Sequence, residues 1–149
     1  MRSREQVIWD FVQQWLKKAE GDLEAAKILL QSQMRDYFTC AFHCQQAAEK
    51  FLKTFLVRHQ IEFRKTHELQ KLLDLCKHVD PSLSQELSFC SWLTPFGVEF
   101  RYPTEYLEVD RQTAQKAVED AQKVKDIVMK KLEEYLSKGR PQGEMNETP

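Results

Sequence analysis

Apolar residues recur three and four positions apart over most of this chain, a spacing that favours helices over strands. From Arg4 to about Gln31 the repeat places a continuous apolar stripe along one side of a helix. The chain of 149 residues has only four glycines and five prolines, so few residues interrupt the repeat. We therefore predict an all-α fold. The apolar positions of its first long helix are Ile8, Phe11, Val12, Trp15, Ala19, Leu23, Ala26 and Leu30.

A second helix is predicted from Asp36, a suitable N-cap residue, to about Gln60. Two neighbouring apolar stripes run along it, so it is apolar over most of its circumference. One stripe contains Phe38, Ala41, Phe42, Ala48, Leu52, Phe55 and Leu56, and the other contains Tyr37, Cys40, Cys44, Ala47 and Phe51. Because such a helix must be covered on several sides, we expect it to be the central helix of the fold.

Three further helices are predicted from their start signals. Thr66 caps a short third helix. The Asp80-Pro81 pair starts a fourth helix that ends near Leu93, because proline is well tolerated at the first helical position. Asp110 caps a long fifth helix. Its apolar positions are Ala114, Ala117, Val118, Ala121, Val124, Val128, Leu132 and Tyr135.

Residues 94–109 interrupt the helical repeat with one glycine, two prolines and four large aromatic residues, and are predicted to form a long structured loop across one end of the fold. Short connections between the helices favour antiparallel neighbours. The expected fold is an up-and-down antiparallel bundle of about five helices in one domain, residues 1–137, in which helices 1, 2 and 5 pack together. Residues 138–149 are polar and lack periodicity, so we expect a disordered tail.

The charge balance excludes a protein that is basic over its whole surface. Lysine and arginine number 22, and aspartate and glutamate number 23, so a nucleic-acid or phosphate site must be a local patch. No apolar run is long enough to span a bilayer, and the first thirty residues lack the apolar core of a secretory signal. The four cysteines lie within apolar helical patterns, which is typical of buried free thiols. We expect a cytoplasmic protein that does not enter membranes.

Cys40, His43 and Cys44 have a superficial likeness to metal ligands. In a helix Cys40 and Cys44 share a face, but His43 lies about 100° from Cys44, and no second pair of ligands has the spacing of a zinc site. The sequence also has no glycine-rich phosphate loop, no G-x-S-x-G motif and no H-E-x-x-H motif. We expect neither a metal nor another cofactor.

A polar stripe on the second helix is the first candidate for chemistry. His43, Gln46, Lys50 and Lys53 are separated by three, four and three residues, which aligns their side chains between the two apolar stripes. Lysine supplies positive charge, and glutamine and histidine supply directed hydrogen bonds, a combination suited to a phosphate or a nucleic acid. The alternative is the ordinary solvated face of an amphipathic helix.

Further polar residues stand out on the first helix and in the predicted loop. Asp22 lies on the inward side of the first helix, where an unpaired carboxylate would be costly, so it needs a partner such as Arg101 or Lys50. A buried pair that fixes the helix register explains Asp22 as well as a catalytic role does. In the loop, Arg101 could clamp a phosphate and Tyr102 could stack on a base. The alternative is a loop arginine bound to helix carbonyls.

Four segments carry a family resemblance: WLKKAEGDLEAAKILL at 15–30, YFTCAFHCQQAAEKFLKTFL at 37–56, Thr66-His67-Glu68-Leu69, and Arg101-Tyr102-Pro103. In this order they resemble the HEPN domain family of bacteria, archaea and the sacsin protein, over about residues 9–136. The resemblance implies a helical bundle that commonly dimerises and binds nucleotide or RNA. It also implies a protein partner, because prokaryotic members are often encoded beside a minimal nucleotidyltransferase, and the pair behaves like a toxin and an antitoxin.

The resemblance further implies a metal-independent ribonuclease in members with an Arg-x(4–6)-His motif, whose two groups act on the 2′-hydroxyl and the phosphate. This chain departs from that motif. The residues five to seven after Arg101 are Tyr106, Leu107 and Glu108, and no histidine has an arginine five to seven positions before it. Because that histidine would carry the proton, its absence favours the nucleotide-binding, nucleotidyltransferase-associated branch, with the sacsin-like proteins.

We accordingly predict a nucleotide-binding module without catalytic residues that partners a minimal nucleotidyltransferase in a toxin–antitoxin-type pair. A ribonuclease toxin and a purely structural helical oligomer are the alternatives. Asp22 is predicted to be a structural polar residue. The predicted nucleotide-binding residues are Gln46, Lys50, Lys53, His67, Arg101 and Tyr102.

Four large aromatic residues, Trp9, Phe11, Trp92 and Phe96, exceed what one bundle of this size easily buries. The sequence therefore predicts a two-fold homodimer, the commonest symmetric assembly.

Overall fold

Helices account for nearly all of the regular structure in the computed structural model, which describes residues 1–98 and 107–143. The elements in chain order are α1 (Arg4–Gln31), α2 (Phe38–Arg58), α3 (Leu69–Cys76), α4 (Pro81–Glu86), a 3-10 helix (Ser88–Gly97) and α5 (Arg111–Ser137). No strand occurs among the described residues. The predicted all-α helical bundle is confirmed.

The three long helices pack on one another, as predicted. Helix α1 runs antiparallel to α2, since Trp15 lies beside Lys53 and the Ala26 carbonyl accepts a hydrogen bond from the Cys40 thiol. Helix α2 is central: residues 44–56 are all buried except the half-buried Lys50. Helix α5 runs parallel to α2, because the backbone N–H of Tyr37 donates to the Val109 carbonyl and Arg58 lies over the Tyr135 ring. The segment from α3 to the 3-10 helix completes the bundle.

Two of the predicted N-caps are confirmed, and two lie before the observed helix starts. Asp80 accepts a hydrogen bond from the N–H of Leu83 in α4, and Asp110 accepts one from the N–H of Thr113 in α5. Helix α2 begins at Phe38 with Tyr37 as the N-cap, and the Asp36 carboxylate instead accepts from the N–H groups of Phe38 and Val109 at 3.0 and 2.9 Å. Asp36 therefore joins the starts of α2 and α5.

Thr66 was predicted to cap α3, but the helix begins later, at Leu69. The Thr66 hydroxyl accepts a hydrogen bond from the Glu68 N–H at 3.1 Å, which closes a turn in front of the helix. The Leu69 N–H is satisfied by the Thr94 hydroxyl at 3.2 Å. The start of α3 thus depends on a contact from the 3-10 helix.

The predicted fourth helix, residues 81–93, is wrong in its second half. Helix α4 ends at Glu86, and a 3-10 helix of ten residues follows it, including residues 94–97 that were assigned to a loop. The reason is a spacing of three between the buried side chains, which matches the three residues per turn of a 3-10 helix. These side chains are Leu87, Cys90, Leu93 and Phe96. Residues 99–106 of the predicted loop lie outside the described residues.

The chain continues past α5 onto the start of α1. Gly139 has φ of +71°, a conformation that favours glycine, and its N–H bonds to the Leu136 carbonyl at the helix end. Arg140 donates two hydrogen bonds to Asp10, at 3.0 and 3.2 Å. Residues 144–149 lie outside the described part of the chain, so a disordered tail over 138–149 stays a prediction. None of the described helices is long and apolar enough to cross a membrane.

Candidate functional site

The polar stripe of α2 lies inside the bundle. Gln46 and Lys53 are buried, and His43 and Lys50 are half-buried. The alternative of a solvated helix face therefore does not describe these residues. Each is bonded to another polar side chain, and the bonds divide the stripe into two groups.

The first group joins α1 to α2 through Asp22. Its carboxylate accepts a short hydrogen bond from the Lys50 ammonium and lies 2.9 Å from Nδ1 of His43. Lys50 was one of the two partners expected for Asp22, whereas His43 was not foreseen in this role. The other expected partner, Arg101, lies outside the described residues. The Asp22–Lys50 contact balances two charges across the interface between α1 and α2.

The second group is built on Glu49, whose side chain is 4% exposed. One carboxylate oxygen accepts from the Lys53 ammonium at 3.1 Å, and the other lies 2.8 Å from Nδ1 of His67. A carboxylate only accepts hydrogen bonds, so Nδ1 of His67 carries the hydrogen and Nε2 is left for another partner. The His67 side chain is 48% exposed, which makes it the accessible member of the group.

Gln45 and Gln46 complete the second group from within the core. The Gln45 amide donates to the Glu49 carboxylate at 3.3 Å and to the His67 carbonyl at 3.0 Å, and it accepts from the Gln46 amide at 2.7 Å. A Cβ atom on Gly97 would lie 2.5 Å from the Gln45 side chain, so a larger residue at this position would displace the Gln45 amide. Gln46, predicted to bind a nucleotide, thus supports Gln45 in the structure.

Two aromatic rings cover the Lys53 ammonium. It lies 5.6 Å from the centre of the Trp15 ring and 5.4 Å from that of Phe63, close enough for cation–π attraction. The two rings meet edge to face at 6.2 Å, and Lys18 lies 5.9 Å from the Trp15 ring. Trp15 was assigned to the apolar stripe of α1, and Phe63 lies between the predicted second and third helices, so the sequence did not indicate this arrangement.

Phe11 extends the aromatic surface along α1. Phe11, Trp15 and Lys18 are four and three residues apart, which places them on one side of the helix. Phe11 is 49% exposed, so its assignment to the buried stripe was wrong. We call this region the aromatic–basic surface. It consists of Phe11, Trp15, Lys18, Lys53, Phe63 and His67.

Positive charge predominates beside this surface. Arg64 and Lys65 follow Phe63 directly and are exposed. Among the described residues, Lys18, Arg64 and Lys65 form no ion pair. The charges of Lys50 and Lys53, by contrast, are balanced by Asp22 and Glu49. The unpaired charges near this surface are therefore three cations, Lys18, Arg64 and Lys65, and one carboxylate, Glu62, which leaves an excess of positive charge.

The remaining candidates add no described residue to this surface. Arg101 and Tyr102 lie outside the described residues. All four cysteines are free and buried, and burial raises the pKa of Cys76 and Cys90 to about 12, which keeps both thiols protonated. No group of three or more histidine, cysteine, aspartate or glutamate side chains in residues 1–98 and 107–143 is placed to hold a metal ion.

Comparison of the sequence with known proteins finds a matching family model and a related protein. The family model described as the HEPN domain matches residues 12–132. A protein of Methanocaldococcus jannaschii named "Putative toxin MJ1304" is 28% identical over 137 residues, which cover 80% of this chain and 87% of that protein. No solved structure has significant similarity to the chain.

Proposed function

The chain belongs to the HEPN domain family, and from this premise we propose that it is a toxin-like, nucleotide-binding module that partners a minimal nucleotidyltransferase in a toxin–antitoxin-type pair. Two findings support the toxin-like role. The family match covers most of the chain, and the relative named as a toxin is matched over 87% of its length. The nucleotide-binding role rests on the chain's own geometry.

The observation that carries the proposal is the pair of groups held by Glu49. Lys53 places a positive charge beneath the aromatic rings, and His67 presents Nε2 at the surface beside it. A protonated His67 donates a charge-assisted hydrogen bond to a phosphate oxygen, and the unpaired cations at the edge add attraction. Trp15 and Phe63 offer ring surfaces for a base, since stacking on an aromatic side chain tolerates any base.

The six predicted residues divide into three kinds under this proposal. His67 contacts the nucleotide, and Lys53 lies beneath the rings on which the base would stack. Gln46 and Lys50 hold other side chains in place, Gln46 through Gln45 and Lys50 through Asp22. Arg101 and Tyr102 lie outside the described residues and stay predicted ligands. No residue is assigned a catalytic role, because the Arg-x(4–6)-His motif is missing from the sequence.

Isothermal titration with ATP tests the proposal. His67→Ala removes the accessible donor and is expected to weaken ATP binding by about 1.5–3 kcal/mol, the range for a hydrogen bond to a charged group. His78→Ala is the matched control. His78 is an exposed histidine that follows the end of α3, and it is not part of the aromatic–basic surface. Equal losses in both variants, or no ATP binding by the unchanged chain, would contradict the proposed site.

Inorganic triphosphate separates the base contact from the phosphate contact. The unchanged chain is expected to bind ATP more tightly than triphosphate, because only ATP stacks on the rings. Trp15→Leu keeps an apolar side chain but removes the ring, so it should weaken ATP binding and leave triphosphate binding unchanged.

A growth assay tests the toxin-like role in cells. Expression of the unchanged chain should arrest growth, and co-expression of the nucleotidyltransferase should relieve the arrest. Expression of the His67→Ala variant should cause a weaker arrest.

A further inference from the structure

The first half of α1 carries an outward-facing row of apolar and basic side chains. Positions 4, 7, 11 and 18 are separated by three, four and seven residues, so they share one side of the helix. Phe11 is 49% exposed, and Arg4 and Lys18 are exposed and form no ion pair with another described residue. The proposed nucleotide contacts do not account for Arg4 or Phe11. We call this row the outer stripe, which consists of Arg4, Val7, Phe11 and Lys18.

The carboxylates of this part of α1 lie on its other sides. A helix turns about 100° per residue, which places Glu5, Asp10 and Glu20 at least about 100° around the axis from Phe11. Asp22 does share the side of the outer stripe, but its charge is balanced by a lysine of α2. The outer stripe therefore presents an exposed aromatic ring between two cations, which are about 21 Å apart along the helix axis.

The connector between α2 and α3 adds further cations beside this stripe. Phe63 packs edge to face on Trp15, with 6.2 Å between the ring centres, which brings the connector alongside α1. Arg64 and Lys65 follow Phe63 and are exposed. Together with the two cations of the outer stripe they make four unpaired positive charges, against one unpaired carboxylate of the connector, Glu62. This part of the molecule is complementary in charge to an anionic partner.

We propose that the outer stripe, with Arg64 and Lys65 beside it, binds the surface of an anionic lipid bilayer. The side of a helix can lie flat on a bilayer along its length, with its apolar side chains inserted among the lipid headgroups and its cations beside the phosphates. Phe11 supplies the inserted ring, and each of the four cations adds attraction to the anionic leaflet. The helix lies on the bilayer and does not cross it, because none of the described helices is long and apolar enough to do so.

Co-sedimentation of the full chain with lipid vesicles, without nucleotide, tests this proposal. The unchanged chain is expected to sediment with vesicles of phosphatidylcholine and phosphatidylglycerol in equal amounts and to stay in solution with vesicles of phosphatidylcholine alone. Phe11→Ala should weaken binding to the anionic vesicles about fivefold or more, because no ring is left to insert. The matched control is Ile28→Ala, which removes a 60% exposed apolar side chain about 100° around α1 from Phe11 and should leave binding unchanged.

Two adjacent exposed lysines of α1 provide the control for charge. Lys18→Glu reverses a charge of the outer stripe and should weaken binding to the anionic vesicles about tenfold. Lys17→Glu makes the same change one residue earlier, about 120° around the helix from Phe11, and should have a much smaller effect.

Three results would overturn the proposal: an unchanged chain that stays in solution with the anionic vesicles, equally strong vesicle binding by Phe11→Ala and Ile28→Ala, or equal losses in Lys18→Glu and Lys17→Glu. His67→Ala, which is expected to weaken ATP binding, should sediment with the vesicles like the unchanged chain. Vesicle binding and ATP binding can therefore fail separately, and each failure contradicts only its own proposal.

Discussion

Glu49 determines how the charged residues of the site are arranged. Its carboxylate is buried and bonds to Lys53 through one oxygen and to His67 through the other. The sequence indicated Lys53 and His67 but not Glu49, because a glutamate next to two apolar stripes is ordinarily on a helix exterior. It also indicated Gln46 and Lys50, whose partners within the bundle could not be known before the helices were packed. Spacing along one helix gives the direction of a side chain, but not what lies opposite it.

Replacing Glu49 by glutamine should destabilise the fold strongly. Glu49→Gln keeps the shape of the side chain but leaves the Lys53 charge buried without its counter-charge. Removing one partner of a buried pair typically costs about 3–5 kcal/mol in the free energy of unfolding. Urea unfolding followed by circular dichroism measures this loss.

The double variant Glu49→Gln/Lys53→Met is the control. It removes both charges together and retains an amide oxygen that can accept hydrogen bonds from Gln45 and His67. Its stability should therefore lie well above that of Glu49→Gln alone. If the losses in unfolding free energy caused by Glu49→Gln alone and Lys53→Met alone simply add in the double variant, the buried pair does not contribute as described.

At the scale of helices and connectors, the ends of the elements were harder to predict than their interiors. Helix α2 ends in a Schellman motif, in which the N–H groups of Gln60 and Ile61 bond to the carbonyls of Val57 and Leu56. Gln60 adopts a positive φ of 56°, at a position where glycine is usual. Without a glycine the motif left no signal in the sequence, yet it directs the connector that carries Phe63 and His67. The 3-10 helix did leave a signal, its spacing of three, which was read as the end of an α-helix.

The N-cap of α4 should make stability depend on pH. Hydrogen bonding from the Ser82 hydroxyl, and then from Lys131, lowers the pKa of Asp80 from 3.8 to about 2. A lowered pKa in the folded state means that the carboxylate stabilises the fold above its ordinary pKa and that this contribution is lost as pH falls towards 2. Asp80→Asn keeps a capping side chain but does not titrate.

Thermal unfolding of the two proteins measures this effect. The difference in melting temperature between the unchanged chain and Asp80→Asn should be constant from about pH 7 to pH 5 and should shrink as pH falls below about 4. A difference in melting temperature that persists unchanged down to about pH 2 would show that the ionised Asp80 side chain does not stabilise the fold.

For the whole molecule, apolar periodicity was sufficient to predict the architecture. The all-α bundle, the central position of α2 and the joint packing of α1, α2 and α5 all follow from stripes that must be buried. The four large aromatic residues that suggested a homodimer differ from one another in the folded chain. Phe96 is buried within its own chain, and the Trp92 ring N–H donates to the Asp120 carboxylate, whereas Phe11 is 49% exposed. Which aromatic residues stay exposed is visible only after folding. The proposed nucleotide site depends likewise on contacts between α1, α2 and the connector.

Hydrogen–deuterium exchange of the full chain with and without ATP tests the central claim most directly. The connector between α2 and α3, residues 59–68, carries Phe63 and His67 and has few backbone hydrogen bonds of its own. ATP bound at the aromatic–basic surface should slow amide exchange in this connector and leave the turn at 77–80, which has no part in the surface, unchanged. Slowed exchange only elsewhere in the chain, or no change at a concentration of ATP that saturates binding, would contradict the account.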